Sequence, residues 1–124
     1  MDKILVVDDE RTIRDLFQRS LKNEGYEVLT AKSGEECLSI LEREEPNSVK
    51  LVFLDLRMEG IAGENTFERI KAIDTDLPVF IITGYGTYPE KLRLFSKKID
   101  RYISKPFDME FIKILIRNKM KPEK

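Results

Sequence analysis

The sequence predicts an α/β fold in which helices cover both faces of a five-stranded parallel sheet. Short β-branched runs alternate with longer amphipathic segments along the chain. The runs are almost continuously apolar, which is typical of strands buried on both faces. At 124 residues the chain fits one domain, because two domains would each be too small for a good core. The alternating order therefore predicts a doubly wound sheet with five strands and five helices.

Hydrophobic periodicity predicts each element in order. The predicted strands are residues 3–7, 26–31, 49–54, 77–82 and 101–104. A first helix is predicted over residues 10–24, with Gly25 as its stop, and a second helix begins at Ser33. A third helix follows the loop at 60–63, a fourth precedes strand five, and a fifth starts near Met109. The side chains predicted to face the core from helices one to five are Ile13, Leu16, Phe17 and Leu21; Cys37, Leu38 and Leu41; Phe67, Ile70 and Ile73; Tyr88, Leu92, Phe95 and Ile99; and Phe111, Ile112, Leu115 and Ile116.

Composition excludes several classes of function. The net charge of −1 gives no overall field for nucleic acid or anionic lipid, so we expect neither as a partner. The chain lacks the roughly 20 consecutive apolar residues of a membrane span and the pattern of a signal peptide. With the single cysteine, Cys37, these features predict a cytoplasmic protein. The absence of histidine excludes Ser-His and Cys-His nucleophile systems and His-ligated metal sites.

Polar side chains follow four of the five predicted strands, where parallel α/β sheets bind their ligands. They are Asp8-Asp9-Glu10, Asp55, Thr83-Gly84 and Lys105-Pro106. If strands one and three are neighbours, Asp8 or Asp9 lies within a side chain's length of Asp55. Carboxylates about 5 Å apart repel by roughly 3 kcal/mol, so the cluster should take up protons or recruit a cation. An all-oxygen set favours Mg²⁺ before Ca²⁺.

A bound Mg²⁺ would make phosphoryl transfer the natural chemistry of this cluster. Asp55 can then act as a carboxylate nucleophile and form an aspartyl phosphate. Lys105 offers a positive charge to one phosphoryl oxygen, and the Thr83 hydroxyl can donate a hydrogen bond to another. Each feature also has a plain structural interpretation, such as a helix N-cap for the acidic triplet or a solvated surface lysine. Their convergence at one edge of the sheet favours the functional interpretation.

Four motifs together resemble the receiver domain of two-component response regulators over essentially the whole chain. They are Ile4-Leu-Val-Val-Asp-Asp-Glu10, Leu54-Asp-Leu-Arg-Met58, Ile82-Thr-Gly84 and Tyr102-Ile-Ser-Lys-Pro-Phe107. Each is weak alone, but each stands at a strand end and in the right order. The resemblance implies a flavodoxin-like topology with strand order 2-1-3-4-5. It also implies a receiver domain over residues 1–120, with residues 121–124 as a tail or the start of a linker.

The resemblance implies a role for individual residues at the metal site. Asp8 and Asp9 correspond to the acidic pair, with Asp9 favoured as the direct Mg²⁺ ligand. Asp55 corresponds to the phosphoacceptor and also to a metal ligand. The backbone carbonyl of Arg57 is implied as a further ligand. The side chains of Arg57 and Tyr85 flank the site and are implied to tune loss of the phosphoryl group.

The resemblance also implies the parts of a conformational switch. Thr83 corresponds to the switch hydroxyl, Tyr102 to the aromatic side chain that changes rotamer with it, and Lys105 to the lysine that contacts the phosphate. The Lys105–Pro106 bond is expected to be cis. The sequence departs from the family pattern at three places, which are Glu59, Gly84 and Lys98-Ile99.

Partners follow from the same resemblance. The phosphodonor is a phosphohistidine on a sensor histidine kinase or a histidine phosphotransfer protein. The output is a downstream effector domain or partner protein, controlled through the face formed by the fourth predicted helix, strand five and the fifth predicted helix. Leu94 and Ile114 fall outside the buried stripes of those helices, so the face is also a candidate for a phosphorylation-dependent homodimer. Positive charge is added there by Lys91, Arg93, Lys97 and Lys98.

Three other functions fit the predicted topology less well. A phosphatase of the haloacid dehalogenase type needs a second Asp two residues after its nucleophile, whereas Glu10 follows Asp8 and Arg11 follows Asp9 at that spacing. A flavin phosphate would meet carboxylates after strand one instead of backbone N–H groups. A docking domain that is never phosphorylated would not need this set of polar residues. We therefore expect a switch that catalyses only its own phosphorylation and dephosphorylation, and not an enzyme.

Overall fold

In the computed structural model, five parallel strands form one sheet in the order β2-β1-β3-β4-β5. The structure describes residues 2–57, 63–84 and 99–120, apart from the side chains at positions 64 and 83. The predicted doubly wound sheet and its strand order are confirmed. The strands are β1 (Asp2–Val7), β2 (Tyr26–Ala31), β3 (Val49–Asp55), β4 (Val79–Gly84) and β5 (Arg101–Lys105). The helices are α1 (Arg11–Leu21), α2 (Gly34–Arg43), α3 (Gly63–Ile73) and α4 (Met109–Lys119), with a 3₁₀ helix at Lys22–Glu24.

Alternate residues of the central strands pack into two separate apolar clusters, one on each face of the sheet. Leu5, Val52 and Ile81 join side chains of α2 and α3 on one face. The other face packs against α1 and α4, and three aromatic rings lie at its centre. The Phe53 ring is 4.9 Å from Phe17 and 5.4 Å from Phe80, between ring centroids. Burial on both faces explains why the strands are almost continuously apolar.

The sequence signals that begin and end helices act as expected. The Ser33 hydroxyl accepts a hydrogen bond from the Glu36 N–H at 3.1 Å, which caps α2. The Glu36 carboxylate reaches back to the N–H of Lys32, also at 3.1 Å, so two otherwise unpaired donors are satisfied. Gly25 ends the first helical region with a φ of 89°, a left-handed conformation that glycine adopts without a steric penalty. The Asp108 side chain caps α4 by accepting from the Glu110 N–H.

Among the residues that the structure describes, the predicted core is correct for most positions, and two side chains differ. Phe111 in α4 is 45% exposed, because the inward face of that helix is centred on Ile112, Leu115 and Ile116. Ile73, at the end of α3, is 47% exposed. The prediction that Ile114 lies outside the buried stripe is confirmed, since its exposed fraction is 49%. Phe111 and Ile114 therefore form a small apolar patch on the outer surface of α4.

The element boundaries shift by a few residues from the predicted ones. β4 begins at Val79 because the preceding Leu77 N–H closes a turn onto the carbonyl of Asp74. The predicted fourth helix, with Tyr88, Leu92 and Phe95, lies outside the described residues, as do the loop at 60–62 and residues 121–124. In the part of the chain that is described, no helix has the length and apolar character needed to span a bilayer.

Candidate functional site

The register of the sheet brings the first two site carboxylates to the same level. Val7 of β1 pairs with Leu54 of β3, so the residues that follow them, Asp8 and Asp55, lie side by side at the carboxyl edge. Both are almost fully buried, at 0% and 2% exposure. The predicted neighbourhood of strands one and three is therefore confirmed, and with it the predicted proximity of these two carboxylates.

Asp8 is held rigidly by its backbone but only partly satisfied at its side chain. Its N–H donates to the carbonyl of Ala31 at 3.0 Å, and its own carbonyl accepts from Arg14 Nη1 at 2.8 Å. Oδ1 accepts from the Glu10 N–H at 2.9 Å. Oδ2 is buried and accepts no hydrogen bond within the described structure, although Lys105 Nζ lies 3.2 Å away as an ion pair. A buried acceptor in this state needs an additional partner.

Both oxygens of Asp55 are fixed, one by a donor just after β3 and the other by a donor at the end of β5. Oδ1 accepts from the Arg57 N–H at 2.9 Å, and Oδ2 accepts from Lys105 Nζ at 3.1 Å. The next residue, Leu56, continues the sheet by donating its N–H to the Ile82 carbonyl. The Asp55 carboxylate therefore has a defined orientation before any ligand arrives.

Lys105 forms ion pairs with two of the acidic residues that follow β1 and with Asp55 at the end of β3. It is the last residue of β5, and the following Lys105–Pro106 bond is cis, as predicted. Its Nζ lies 3.1–3.2 Å from oxygens of Asp8, Glu10 and Asp55. Burial alone would lower the pKa of Lys105, but its hydrogen bonds to Asp55 and Glu10 outweigh that effect, and the pKa is raised above 10.5. The ammonium group therefore stays charged over the whole range in which proteins are studied.

The donor set at this edge fits a hard divalent cation. Asp8, Asp9, Glu10 and Asp55 each offer an oxygen, and the four oxygens lie within 4.8 Å of one another. Each close pair of carboxylates repels by roughly 3 kcal/mol at an effective dielectric constant of about 20. One ammonium group does not neutralise four carboxylates, and Asp8 Oδ2 still lacks a hydrogen-bond donor in the described structure. Carboxylate oxygens suit Mg²⁺, which usually binds one or two carboxylates and keeps several water ligands.

Burial and the neighbouring carboxylate both change the pKa of Asp8. Burial raises the pKa of Asp8 from 3.8 to about 6, and the negative charge of Asp55 adds to the rise. The hydrogen bond from the Glu10 N–H and the charge of Lys105 act in the opposite direction. A cation nearby would stabilise the charged form of this carboxyl group, which burial disfavours.

Thr83 lies at this edge of the sheet, whereas Tyr102 lies further back in β5, opposite Ile81 of β4. Thr83 pairs with Ser104 in the sheet, next to Lys105, but its side chain lies outside the described part of the structure. Tyr102 is half-buried against the apolar cluster beneath α2 and α3, so its ring packs on the same face of the sheet as Leu54. The roles implied for these two residues stay predictions.

The Arg57 side chain lies beside Gly84, the last residue of β4. A Cβ atom at Gly84 would lie 3.9 Å from Arg57 Cδ and Nη1, which is ordinary van der Waals contact. Gly84 lies in a strand and does not have a positive φ, so the space around it would also accept alanine. The Arg57 side chain therefore extends along the rim of the site. Its backbone carbonyl as a metal ligand stays a prediction, and Tyr85 and Glu59 lie outside the described residues.

Sequence reasoning assigned no role to Glu10 beyond its place in the acidic triplet. In the structure its carboxylate joins the cluster and forms an ion pair with Lys105. The signal in the sequence was the third consecutive acid after strand one. The contact itself could not be read from the sequence, because Glu10 and Lys105 are 95 residues apart.

Comparison with known proteins identifies the family that shares this arrangement. The family model of the response regulator receiver domain matches residues 4–117. The chain belongs to this family. The chain spans about half or less of the length of the curated relatives described next.

Two of these relatives are named as transcriptional regulators. The receiver domain is 36% identical over 117 residues to the probable transcriptional regulator ycf27 of Porphyridium aerugineum, covering 94% of this chain and 47% of that protein. It is 36% identical over 107 residues to the transcriptional regulatory protein GlrR of Escherichia coli K12, covering 86% of this chain and 23% of that protein.

Solved structures of response regulators have the same fold as this chain. A response regulator receiver domain protein of Clostridium thermocellum is 34% identical, with a TM-score of 0.85 over 97% of this chain and 94% of that one. The response regulator TrrA of Thermotoga maritima is 35% identical, with a TM-score of 0.82 over 96% of this chain and 99% of that one. That structure is a complex with Mg²⁺ and beryllium fluoride.

Proposed function

We propose that this receiver domain accepts a phosphoryl group on Asp55 in a Mg²⁺-dependent reaction and acts as a switch. The observation that carries the proposal is the state of the Asp55 carboxylate. It is buried at the carboxyl edge of the sheet, with one oxygen fixed by the Arg57 N–H and the other by Lys105. A nucleophile that is already oriented lowers the entropic cost of in-line attack.

The residues that would hold Mg²⁺ are Asp8, Asp9, Asp55 and the backbone carbonyl of Arg57. When bound, the ion supplies positive charge that neutralises the cluster and stabilises the transferring phosphoryl oxygens. The unsatisfied Asp8 Oδ2 supports this assignment, as does the Mg²⁺ complex of TrrA.

The chemical step needs little beyond positioning and charge. A carboxylate oxygen of Asp55 attacks the phosphorus of a phosphohistidine, a P–O bond forms, and the P–N bond to the imidazole breaks. The electron pair of the broken bond stays on the imidazole of the donor protein. Lys105, whose pKa is raised, gives a permanent positive charge beside the new phosphoryl group. Because Asp55 itself is modified, we propose that the chain is a switch and not an enzyme that turns over a substrate.

Phosphorylation at the carboxyl edge would change the surface that partner proteins bind. Thr83 would donate its hydroxyl to the phosphoryl group, and Tyr102 would change its packing in response. β5 and α4 would carry the change to an effector domain or partner protein, through a surface that includes Phe111 and Ile114. The same surface is where we place a phosphorylation-dependent homodimer. The donor would be a sensor histidine kinase or a histidine phosphotransfer protein in the cytoplasm.

Intact-mass measurement after incubation with acetyl phosphate and Mg²⁺ tests the proposal. We expect the wild-type protein to gain one phosphoryl group, and Asp55→Asn to gain none. Asp15→Asn is the matched control, because Asp15 is half-exposed on α1, pairs with Arg11 and is not a member of the carboxylate cluster. A phosphoryl group retained by Asp55→Asn, or none on the wild type, would refute the proposed function.

A further inference from the structure

Glu10 occupies the N-cap position of α1 but does not cap the helix. Its backbone is extended, and its carboxylate makes no hydrogen bond to the first turn of α1. Oε1 lies instead 3.1 Å from Lys105 Nζ, at the opposite end of the sequence. A capping contact would satisfy one of the free N–H groups at the start of the helix. The Glu10 carboxylate contacts Lys105 instead of making this capping contact.

Lys105 is shared between Glu10 and Asp55. Its Nζ donates to Glu10 Oε1 and to Asp55 Oδ2, both at 3.1 Å. Asp8 Oδ2 lies 3.2 Å from the same nitrogen as an ion pair, but it accepts no hydrogen bond in the described structure. The group that the proposed function assigns to the phosphoryl oxygens is therefore already surrounded by three carboxylates.

We propose that Glu10 is an electrostatic restraint on the phosphoryl switch, a positioning residue that shares Lys105 with Asp55 and whose charge opposes a phosphoryl group on Asp55. This inference rests on the proposed function. A phosphoryl group brings up to about two negative charges. The Glu10 and Asp55 oxygens already lie within 4.8 Å of each other, closer than the screening length of about 8 Å at physiological salt.

Two opposing effects decide whether removal of the Glu10 charge favours or disfavours the phosphorylated state. The pair of Glu10 with Lys105 is exposed on the Glu10 side, where the side chain is 56% accessible, and such pairs contribute little to stability. The repulsion between Glu10 and the phosphoryl group acts next to a buried site and involves more charge. Removal of the Glu10 charge should therefore favour the phosphorylated state, although the contact with Lys105 is weakened.

A second role for Glu10 makes the opposite prediction and can be separated from this one. As a member of the carboxylate cluster, Glu10 could instead be a direct ligand of the divalent ion. Loss of a direct ligand would weaken Mg²⁺ binding strongly, and the phosphoryl analogue would then also bind less well. Loss of a restraint would weaken Mg²⁺ binding only slightly, through the lost negative charge.

Isothermal titration calorimetry with two probes tests the proposal on wild type, Glu10→Gln and Asp15→Asn. Mg²⁺ is titrated alone, and beryllium fluoride is then titrated at saturating Mg²⁺. We expect Glu10→Gln to bind beryllium fluoride roughly three- to tenfold more tightly than wild type, and to bind Mg²⁺ about twofold more weakly. Asp15→Asn, which removes a charge from the outer surface of α1, should match wild type in both titrations. Glu10→Ala should follow Glu10→Gln, because both remove the charge.

Two results would overturn the proposal while the proposed function stands. One is beryllium fluoride binding by Glu10→Gln that is equal to or weaker than that of a competent wild type. The other is a loss of Mg²⁺ affinity of about tenfold or more, which would make Glu10 a metal ligand. If the wild type itself binds no beryllium fluoride and gains no phosphoryl group from acetyl phosphate, the proposed function fails, and the role of Glu10 is refuted with it. Urea unfolding of each variant confirms that the compared proteins are folded.

Discussion

The two edges of the sheet each place a lysine beside a carboxylate, but the ratio of ammonium groups to carboxylates differs between the two edges. There Lys71 Nζ donates to the Leu77 carbonyl at 2.6 Å and lies 3.9 Å from Asp100 Oδ2. Asp100 Oδ2 also accepts from the Val79 N–H, and Oδ1 accepts from Lys119, both at 3.0 Å. One carboxylate thus lies between two ammonium groups, and both of its oxygens have partners.

At the carboxyl edge the ratio is reversed. Lys105 lies among three carboxylates, and a buried oxygen of Asp8 accepts no hydrogen bond in the described structure. The two lysines respond in opposite ways. Burial lowers the pKa of Lys71 despite the nearby charge of Asp100, whereas the carboxylates raise the pKa of Lys105. A satisfied ion pair joins elements of the fold, and an unsatisfied excess of one charge indicates a site that binds something.

Exchange of each lysine for methionine should separate the two edges most strongly. Lys105→Met removes the cation beside Asp55 Oδ2, so the rate of phosphorylation by acetyl phosphate should fall on the order of 10²- to 10³-fold. Lys71→Met should phosphorylate at the wild-type rate, because Lys71 lies at the other edge. The rates are measured by intact mass against time at saturating Mg²⁺.

The stability of Lys71→Met tests the structural role of the amino edge. Lys71→Met removes the ammonium donor of the Leu77 carbonyl and the ion pair with Asp100, which should lower the free energy of unfolding by about 1–3 kcal/mol. Urea titration at 25 °C measures it. An equal loss of phosphorylation in both variants, or a wild-type rate in Lys105→Met, would contradict the division into a structural and a functional edge.

A smaller effect is expected from pH in the Mg²⁺-free protein. The pKa of Asp8 rises from 3.8 to about 6 on folding, mainly through burial, so the folded state binds the proton more tightly than the unfolded state. The stability that this provides is fully present below pH 4 and is lost as the pH rises through about 6. The loss from Asp8 amounts to at most about 3 kcal/mol, from 1.36 kcal/mol per pKa unit.

Urea titrations at pH 5 and pH 7.5, with a chelator or with Mg²⁺, measure this contribution. The control is Asp8→Asn, which keeps the acceptor for the Glu10 N–H but does not titrate. Between the two pH values, wild type should lose stability relative to Asp8→Asn, and Mg²⁺ should reduce that loss. A wild type that loses no stability relative to Asp8→Asn over this interval would show that folding does not raise the pKa of Asp8.

Local patterns predicted the fold and the proximity of three of the candidate site residues. The strands are visible because burial on both faces requires continuous apolar runs, and the strand order brings Asp8, Asp55 and Lys105 to one edge. The phase of α4 was less well predicted. Phe111 is next to the buried Ile112, and its exposed fraction of 45% depends on the packing of the whole helix.

Contacts between distant charges could not be predicted in the same way. The pairs of Glu10 with Lys105 and of Lys71 with Asp100 join residues that are far apart in the chain. The sequence lists acids and lysines at both edges, but only the three-dimensional structure gives their ratio at each edge. That ratio is what distinguishes the functional edge from the structural one.

Titration of Mg²⁺ into the ¹⁵N-labelled protein, followed by ¹H–¹⁵N correlation spectra, tests the central claim most directly. We predict saturable shifts at the carboxyl edge, in residues 8–10, 55–57 and 104–105. The amides of Lys71, Val79 and Asp100 at the amino edge should not move. Absence of saturable shifts at residues 8–10 and 55–57, or shifts that centre on Asp100, would contradict the account.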